Sequence, residues 1–177
     1  SWVRDNLQKM NLDATVPHHF GVLLNTEMKF YLRAYLDILD AQMTEKQGWE
    51  KVFYHAQWGI ADSLGFPLML APLKSTDSAE TVRQKINAVA GFLETFAVRR
   101  SLNFRNFGGS SIRYTMCSLV KELRGKDLEP LQALLANKLS EMPEKLDGIL
   151  NFRMHGMNRS FVKFLLARIT GFIEQAA

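Results

Sequence analysis

The sequence predicts an all-α protein, a bundle of about seven helices in a single domain that spans residues 1–177. Apolar residues recur every three or four positions along most of the chain, whereas convincing period-two alternation of β-branched residues is missing. Gly, Pro and short Ser/Thr/Asp clusters separate these periodic blocks. With 47% apolar and 23% charged residues the composition is that of an ordinary globular domain, so disorder is not expected.

The first two predicted helices carry wide apolar surfaces. One begins at a cap formed by Asn25 or Thr26, and the next ends at Gly65. We expect the stripe of the first to be one broad buried face, made of Met28, Tyr31, Leu32, Tyr35, Leu36, Leu39 and Met43. The stripe of the second contains Trp49, Val52, Phe53, Ala56, Ile60 and Leu64. Tyr54 and Trp58 lie one turn apart on another face, which indicates either burial between neighbours or an aromatic contact patch.

A connector and a loop follow these helices. Residues 66–73 are bracketed by Pro67 and Pro72, and we interpret them as an irregular or single-turn connector. Residues 74–78 are the clearest loop and a candidate subdomain boundary. A helix of about five turns comes next, with the stripe Val82, Ile86, Val89, Leu93, Phe96 and Ala97.

Three further helices are predicted after a break at residues 101–109. The first closes at Gly125 and the second at Pro143. Their stripes are Ile112, Met116, Leu119, Val120 and Leu123, then Leu128, Leu131, Leu134, Leu135, Leu139 and Met142. The last stripe is expected to be mostly core and contains Phe161, Leu165, Leu166, Ile169, Phe172 and Ile173. Met154 and Met157 are expected to pack beside it.

Motifs for catalysis, cofactor binding and metal binding are missing from the sequence. The chain has no Walker loop, no G-x-G-x-x-G, no nucleophile elbow and no paired carboxylates. Its four histidines have no ligand spacing, so no metal site is expected at His18, His19, His55 or His155. The sequence therefore predicts no cofactor and no catalytic residue.

Sequence features also bear on the compartment and on membranes. A single cysteine, Cys117, excludes an intrachain disulfide and fits a reducing cytoplasm. The first residues are polar where a signal peptide would be apolar, and no apolar run reaches bilayer length, so we expect no membrane partner. The chain lacks an initial Met and stops inside a helical pattern, from which we expect a segment of a longer protein.

The net charge of +4 is unevenly distributed. There are nine Lys/Arg against eleven Asp/Glu up to Val98, and thirteen against seven from Arg99 onward, so an anionic partner would meet the second half. A helix start at residues 106–111 resembles a phosphate cradle that Arg105 or Arg113 would complete. A flexible linker whose Ser110 or Ser111 caps the helix explains the same residues.

Other cations lie at the ends of predicted helices. At 100° per residue Arg100 points in the same direction as Val82, and Arg99 points to the flank of that apolar stripe. Both guanidinium groups therefore need a carboxylate, backbone carbonyls or a phosphate as a partner, unless they snorkel to solvent. Two more cations face solvent on the last helix and are candidate phosphate contacts, namely Arg159 and Lys163. An internal salt bridge or aromatic stacking would account for Arg168.

Three segments together carry a family resemblance. They are Phe92-Leu93-Glu94-Thr95-Phe96-Ala97-Val98-Arg99-Arg100, Met154-His155-Gly156-Met157-Asn158 and Leu165-Leu166-Ala167-Arg168-Ile169. From about Leu64 to Glu174 the chain resembles the helical middle of GmrSD-type modification-dependent restriction proteins, in which Val-Arg-Arg and Leu-Ala-Arg-Ile helices recur in that order.

The resemblance implies a place in a defence protein but no active site. Such proteins resemble three-part machines with a sulfiredoxin/ParB-like nucleotide-hydrolysing domain marked by Asp-Gly-Gln-Gln-Arg and often a His-Asn-His nuclease domain. This chain contains neither motif. The matching positions are Arg99, Arg100, Asn158, Arg159 and Arg168, for which the resemblance implies a structural or communicating role, with phosphate contact for the exposed cations.

Two functional hypotheses follow, with a third in a weaker position. The first is a non-catalytic scaffold domain whose partners are flanking domains, with a basic surface as a candidate DNA contact. The second is a free-standing adaptor that binds a protein through Tyr54 and Trp58. A small-ligand bundle is the weakest, because no convergent polar cluster marks an apolar pocket.

Overall fold

The computed structural model describes residues 17–176, and it confirms the all-α prediction with eight α-helices and no strand within that range. The helices are α1 (Pro17–Val22), α2 (Lys29–Met43), α3 (Glu50–Gln57), α4 (Asp62–Leu70), α5 (Ala79–Leu102), α6 (Gly109–Leu123), α7 (Leu128–Glu141) and α8 (Arg159–Ala176). A π-helical segment, Leu23–Met28, joins α1 to α2, and two 3₁₀ turns, Leu146–Asn151 and Gly156–Asn158, lie before α8.

Helix α5 is the central element of the fold. Its start is fixed by Ser78, whose hydroxyl accepts a hydrogen bond from the Thr81 N–H at 3.1 Å. Glu80 in the first turn and two arginines in the last turn complement the helix dipole. Helices α3, α4 and α7 all pack against α5. Its fully buried apolar residues are Ile86, Val89, Ala90, Leu93 and Ala97.

Two apolar clusters hold the helices together. The larger draws buried residues from Ala34 to Met142, so it includes both sides of the loop at residues 74–78. The smaller contains Leu102, Phe161 and Phe164 and attaches α8 to the end of α5. The bundle therefore has its main core around α5, while α8 docks through a few aromatic side chains.

The predicted face of the first helix was wrong. Ala34, Ile38 and Ala41 are the buried residues of α2, on the side opposite the predicted stripe. Exposed residues form the outer stripe, namely Met28, Leu32, Tyr35, Leu36, Leu39 and Met43. The two alanines allow α2 to approach α3 and α4 closely, so the smaller residues face the core. No cap forms at Asn25 or Thr26, because the helix continues through the π-helical segment.

Residues 49–73 also differ from the prediction. The single helix ending at Gly65 is in fact two, α3 and α4, separated at residues 58–61. The expected connector around Pro67 is largely helical, since α4 contains that proline on its exposed side. A proline inside a helix costs about 3 kcal/mol. The buried residues of α4 offset this cost at ~1.5–3 kcal/mol for a large apolar side chain, and they are Leu64, Gly65, Phe66, Leu68 and Met69.

The C-terminal region contains the third departure. Phe161 and Phe164 are buried, but most of the stripe predicted as core is exposed, namely Leu166, Ile169, Phe172 and Ile173. The two methionines expected to pack inside are exposed as well, Met154 at 72% and Met157 at 92%. Helix α8 therefore carries apolar residues on two faces, and the described part of the chain covers only one of them.

Candidate functional site

Arg99, in the last turn of α5, is used for an internal contact. Its Nη1 donates to the Leu139 carbonyl at the end of α7, at 2.5 Å. Its Nε is buried and has no hydrogen-bond partner in the described range. The side chain is half-buried, so this guanidinium bridges α5 and α7.

Arg100 joins three segments that follow α5. Its Nη1 lies 3.1 Å from Oε1 of Glu144, whose side chain is almost fully buried. Nε and Nη2 donate to the Asn106 carbonyl at 3.0 and 2.7 Å. The guanidinium also lies 5.5 Å from the ring centroid of Phe96, within cation–π range. Arg100 therefore fixes both the loop after α5 and the segment after α7.

Arg168 makes both of the contacts that the sequence left open. Its Nε donates to Oε1 of Glu94 on α5 at 2.8 Å. Both side chains of this ion pair are largely buried. Its guanidinium lies 4.0 Å from the ring centroid of Tyr54. Burial, followed by the hydrogen bond to Glu45, raises the pKa of the Tyr54 phenol. This chain of contacts ties α8 to α3 and α5.

Trp58 completes the docking of α8. Its ring packs against the rings of Phe161 and Phe164 at centroid distances of 5.3 and 6.4 Å. Its Nε1 donates to the Ser101 hydroxyl at 2.9 Å. Tyr54 and Trp58 therefore pack between neighbouring helices, which is the first of the two arrangements expected from the sequence.

Two buried polar residues, Lys85 and His55, were not predicted from the sequence. Lys85 is fully buried, and its ammonium donates to Asp77 at 2.8 Å and to the Pro72 carbonyl at 3.1 Å. Its position on the α5 stripe was a usable signal, because Lys85 lies three residues after Val82 and four before Val89. His55 is 2% exposed, and its burial lowers the pKa of the imidazole to about 4.

Four predicted anion contacts are exposed cations. Arg105 follows α5 and Arg113 lies in α6, while Arg159 and Lys163 lie in the first turns of α8. None of the four charged side chains makes an ion pair or hydrogen bond within residues 17–176. The serine cap suggested for α6 is not formed, because the N-cap is Gly108, which has no side chain to accept a hydrogen bond.

Asn158 has a role in shaping its own loop. Its Oδ1 accepts from the His155 N–H at 2.8 Å, and its Nδ2 donates to the Arg153 carbonyl at 2.9 Å. The His155 ring in turn accepts from the Met157 N–H at 3.3 Å. Together these bonds form a reciprocal cap on the short 3₁₀ turn. Asn158 therefore holds His155 in place.

Helix α5 ends in an unusual version of a common motif. Arg105 N–H donates to the Arg100 carbonyl and Phe104 N–H to the Ser101 carbonyl, which is the Schellman pattern. Phe104 has φ +53°, at the position of this motif that is usually glycine. A side chain in this left-handed region costs ~1–2 kcal/mol. Phe104 is the only non-glycine residue with positive φ within the described range.

The Phe104 ring belongs to a stack of aromatic side chains. Its centroid lies 5.4 Å from that of Phe152, with 12° between the planes, and 6.1 Å from that of His155, with 20°. Phe152 packs edge-on against the buried Phe161 at 5.6 Å. The Phe104 ring is nevertheless 56% exposed. Sequence periodicity gave no signal for this cluster, since its members come from two distant loops.

Comparison of the chain with protein-family models, curated protein sequences and solved structures finds no match. Across residues 17–176 no three His, Cys, Asp or Glu side chains are positioned to hold a metal ion together. None of the helices in that range has both the length and the apolar character needed to cross a bilayer.

Proposed function

We propose that this chain is a non-catalytic helical scaffold domain of a GmrSD-like DNA restriction or anti-phage defence protein. The observation that carries the proposal is the internal use of Arg99, Arg100 and Arg168. These are the arginines of the motifs that resemble the family, and each joins α5 to another part of the bundle. A motif that orients helices is what a rigid connecting domain requires.

The outward faces of α2 and α8 support flanking domains as partners. Each is an apolar stripe on a helix whose opposite side is packed on the bundle. On α2 the stripe runs from Met28 to Met43, and on α8 from Leu166 to Ile173. Contiguous apolar surface of this kind is typical of contacts with another domain or protein.

Hydrogen exchange on the complete protein encoded by the reading frame tests the scaffold proposal. We expect peptides from α2 and α8 to exchange more slowly in the complete protein than in residues 1–177 alone, while buried α5 serves as the unchanged control. The same reading frame should encode Asp-Gly-Gln-Gln-Arg upstream and a His-Asn-His segment downstream. A frame with neither motif, together with equal exchange in both proteins, contradicts the proposal.

A basic surface facing DNA is the second part of the proposal. It is supported by four exposed cations whose charged side chains have no ion-pair or hydrogen-bond partner in the described range, namely Arg105, Arg113, Arg159 and Lys163. We expect salt-dependent binding of duplex DNA that is lost when the four are changed to Glu. A matched control changes the exposed Lys51, Lys121 and Arg124 to Glu. A folded protein that binds no duplex at low salt contradicts this part alone.

A free-standing protein adaptor is the alternative, and the face of α2 is the feature that favours it. Leu32→Glu together with Leu36→Glu should then abolish capture of an unrelated protein. The scaffold proposal expects the same variants to weaken contacts within the complete protein only. Cross-linking followed by identification of the linked peptides distinguishes the two functions.

A further inference from the structure

We propose that Phe104 and His155 form a stacking platform for an unpaired nucleobase, with the guanidinium groups of Arg105, Arg153 and Arg159 contacting the adjacent phosphates. This inference rests on the proposed function, because it names the ligand chemistry of the DNA-facing surface. The Phe104 platform consists of those two rings and their neighbour Phe152.

The backbone at Phe104 is the first observation. Glycine would form the Schellman end of α5 without strain, yet the chain has a bulky aromatic residue there. Burial does not explain this choice, since the ring is 56% exposed. Strained positions that hold an exposed side chain are frequent at binding sites, where the strain is offset by the surrounding structure.

The rigidity of the platform is the second observation. Phe152 connects the stack to the buried Phe161, and Asn158 fixes the backbone of His155. Asn103, which precedes Phe104, donates to the Lys145 carbonyl at 2.8 Å and so joins the end of α5 to the segment that leads into the first 3₁₀ turn. The rings are therefore held in place before any ligand binds, which lowers the entropic cost of binding.

The charge around the platform is the third observation. Arg105 and Arg153 are each adjacent in sequence to a stacked phenylalanine, and Arg159 follows Asn158. All three are exposed, and none of their guanidinium groups has an ion-pair or hydrogen-bond partner among the described residues. The carboxylate of Glu144, in the segment after α7, is paired with Arg100. Exposed aromatic rings in segments that also carry exposed cations are typical of proteins that bind single-stranded nucleic acid.

Fluorescence anisotropy of the full chain with a labelled oligothymidylate, compared with a blunt duplex, tests the platform. We expect Phe104→Gly to weaken binding of the single strand by about tenfold or more, because one stacked base is lost. Its melting temperature should hold within a few degrees, since glycine relieves the left-handed backbone. Phe104→Trp should retain binding. Tyr114→Ala is the matched control, because Tyr114 is 90% exposed and adjacent to Arg113 but has no stacked ring among the described residues.

Other results would overturn the proposal in distinguishable ways. Equal single-strand affinity for wild type and Phe104→Gly, with both weakened by Arg105→Glu, means that charge alone binds the strand. Binding of duplex but not of single strand refutes the platform and leaves the DNA-facing surface intact. If a folded wild type binds neither probe, both ideas fail. Loss of contacts within the complete protein by Phe104→Gly, without an effect on DNA, makes the surface a protein interface instead.

Discussion

His55 provides a quantitative pH test of the packing between α3 and α4. Its ring is 2% exposed, and its Nδ1 has no hydrogen-bond partner in the described range. The ring is tightly enclosed, since a Cβ added at Gly59 would lie 2.1 Å from Nδ1 and one at Gly65 would lie 3.2 Å from Nε2. Burial lowers the pKa of His55 from 6.5 to about 4, although the Asp62 carboxylate acts in the opposite direction.

The sign of the effect follows from the lowered pKa. Between pH 6.5 and about 4 the unfolded chain binds a proton at His55 that the folded chain does not bind. The contribution of the neutral ring is therefore complete above pH 6.5 and is lost as the pH falls towards 4. The gap between the two pKa values corresponds to about 3 kcal/mol of unfolding free energy.

The perturbation is His55→Leu, which removes the titrating group and keeps an apolar side chain of similar size. Urea unfolding followed by far-ultraviolet circular dichroism should be measured from pH 7.5 to 4 at constant ionic strength. We expect wild type to lose about 3 kcal/mol more than the variant over that range. The exposed His18, changed to Gln, serves as the control for removal of a histidine. Parallel profiles for wild type and His55→Leu would refute the reasoning.

Two further predictions concern the helix contacts. Arg168→Met should cost about 3 kcal/mol by leaving Glu94 buried and unpaired, and adding Glu94→Gln should recover a large part of it. A double-mutant cycle in urea checks this, and additive effects would show that the pair is uncoupled. Ile38→Ala, at a fully buried position, should cost about 2–5 kcal/mol, whereas Leu32→Ala on the outer face should change stability by less than about 1 kcal/mol. Equal losses would mean that the outer face of α2 is buried, by self-association if the loss depends on protein concentration.

The existence of most helices could be predicted from the sequence, because periodicity and caps are local properties. Helix α5 is the clearest example, since Ser78 caps it and its stripe continues for several turns. Pro143 and Gly125 likewise mark the ends of α7 and α6 within two residues. The proline rule misled at Pro67, where burial of the surrounding apolar residues outweighs the local penalty.

Which face of a helix is buried could not be predicted where both faces are apolar. On α2 the rule selected the larger residues, but Ala34 and Ala41 face the core because they permit close approach. On α8 the core is formed by Phe161 and Phe164, and the remaining stripe is exposed. Periodicity reports that a face is apolar, and only the neighbouring helices determine what covers it.

The partners of the arginines lie beyond any local rule, and this bears on how the motifs should be interpreted. Arg100 pairs with a carboxylate 44 residues away and Arg168 with one 74 residues away. Helix periodicity placed Arg100 on the apolar stripe but left open a protein acceptor, a phosphate and snorkelling to solvent, and only the fold selects Glu144 and the Asn106 carbonyl. Once Glu144 and Glu94 neutralise these arginines, the excess positive charge of the second half resides in exposed cations such as Arg105 and Arg159. An anionic partner is therefore expected at the exposed cations, and the loop that carries Arg105 also exposes Phe104.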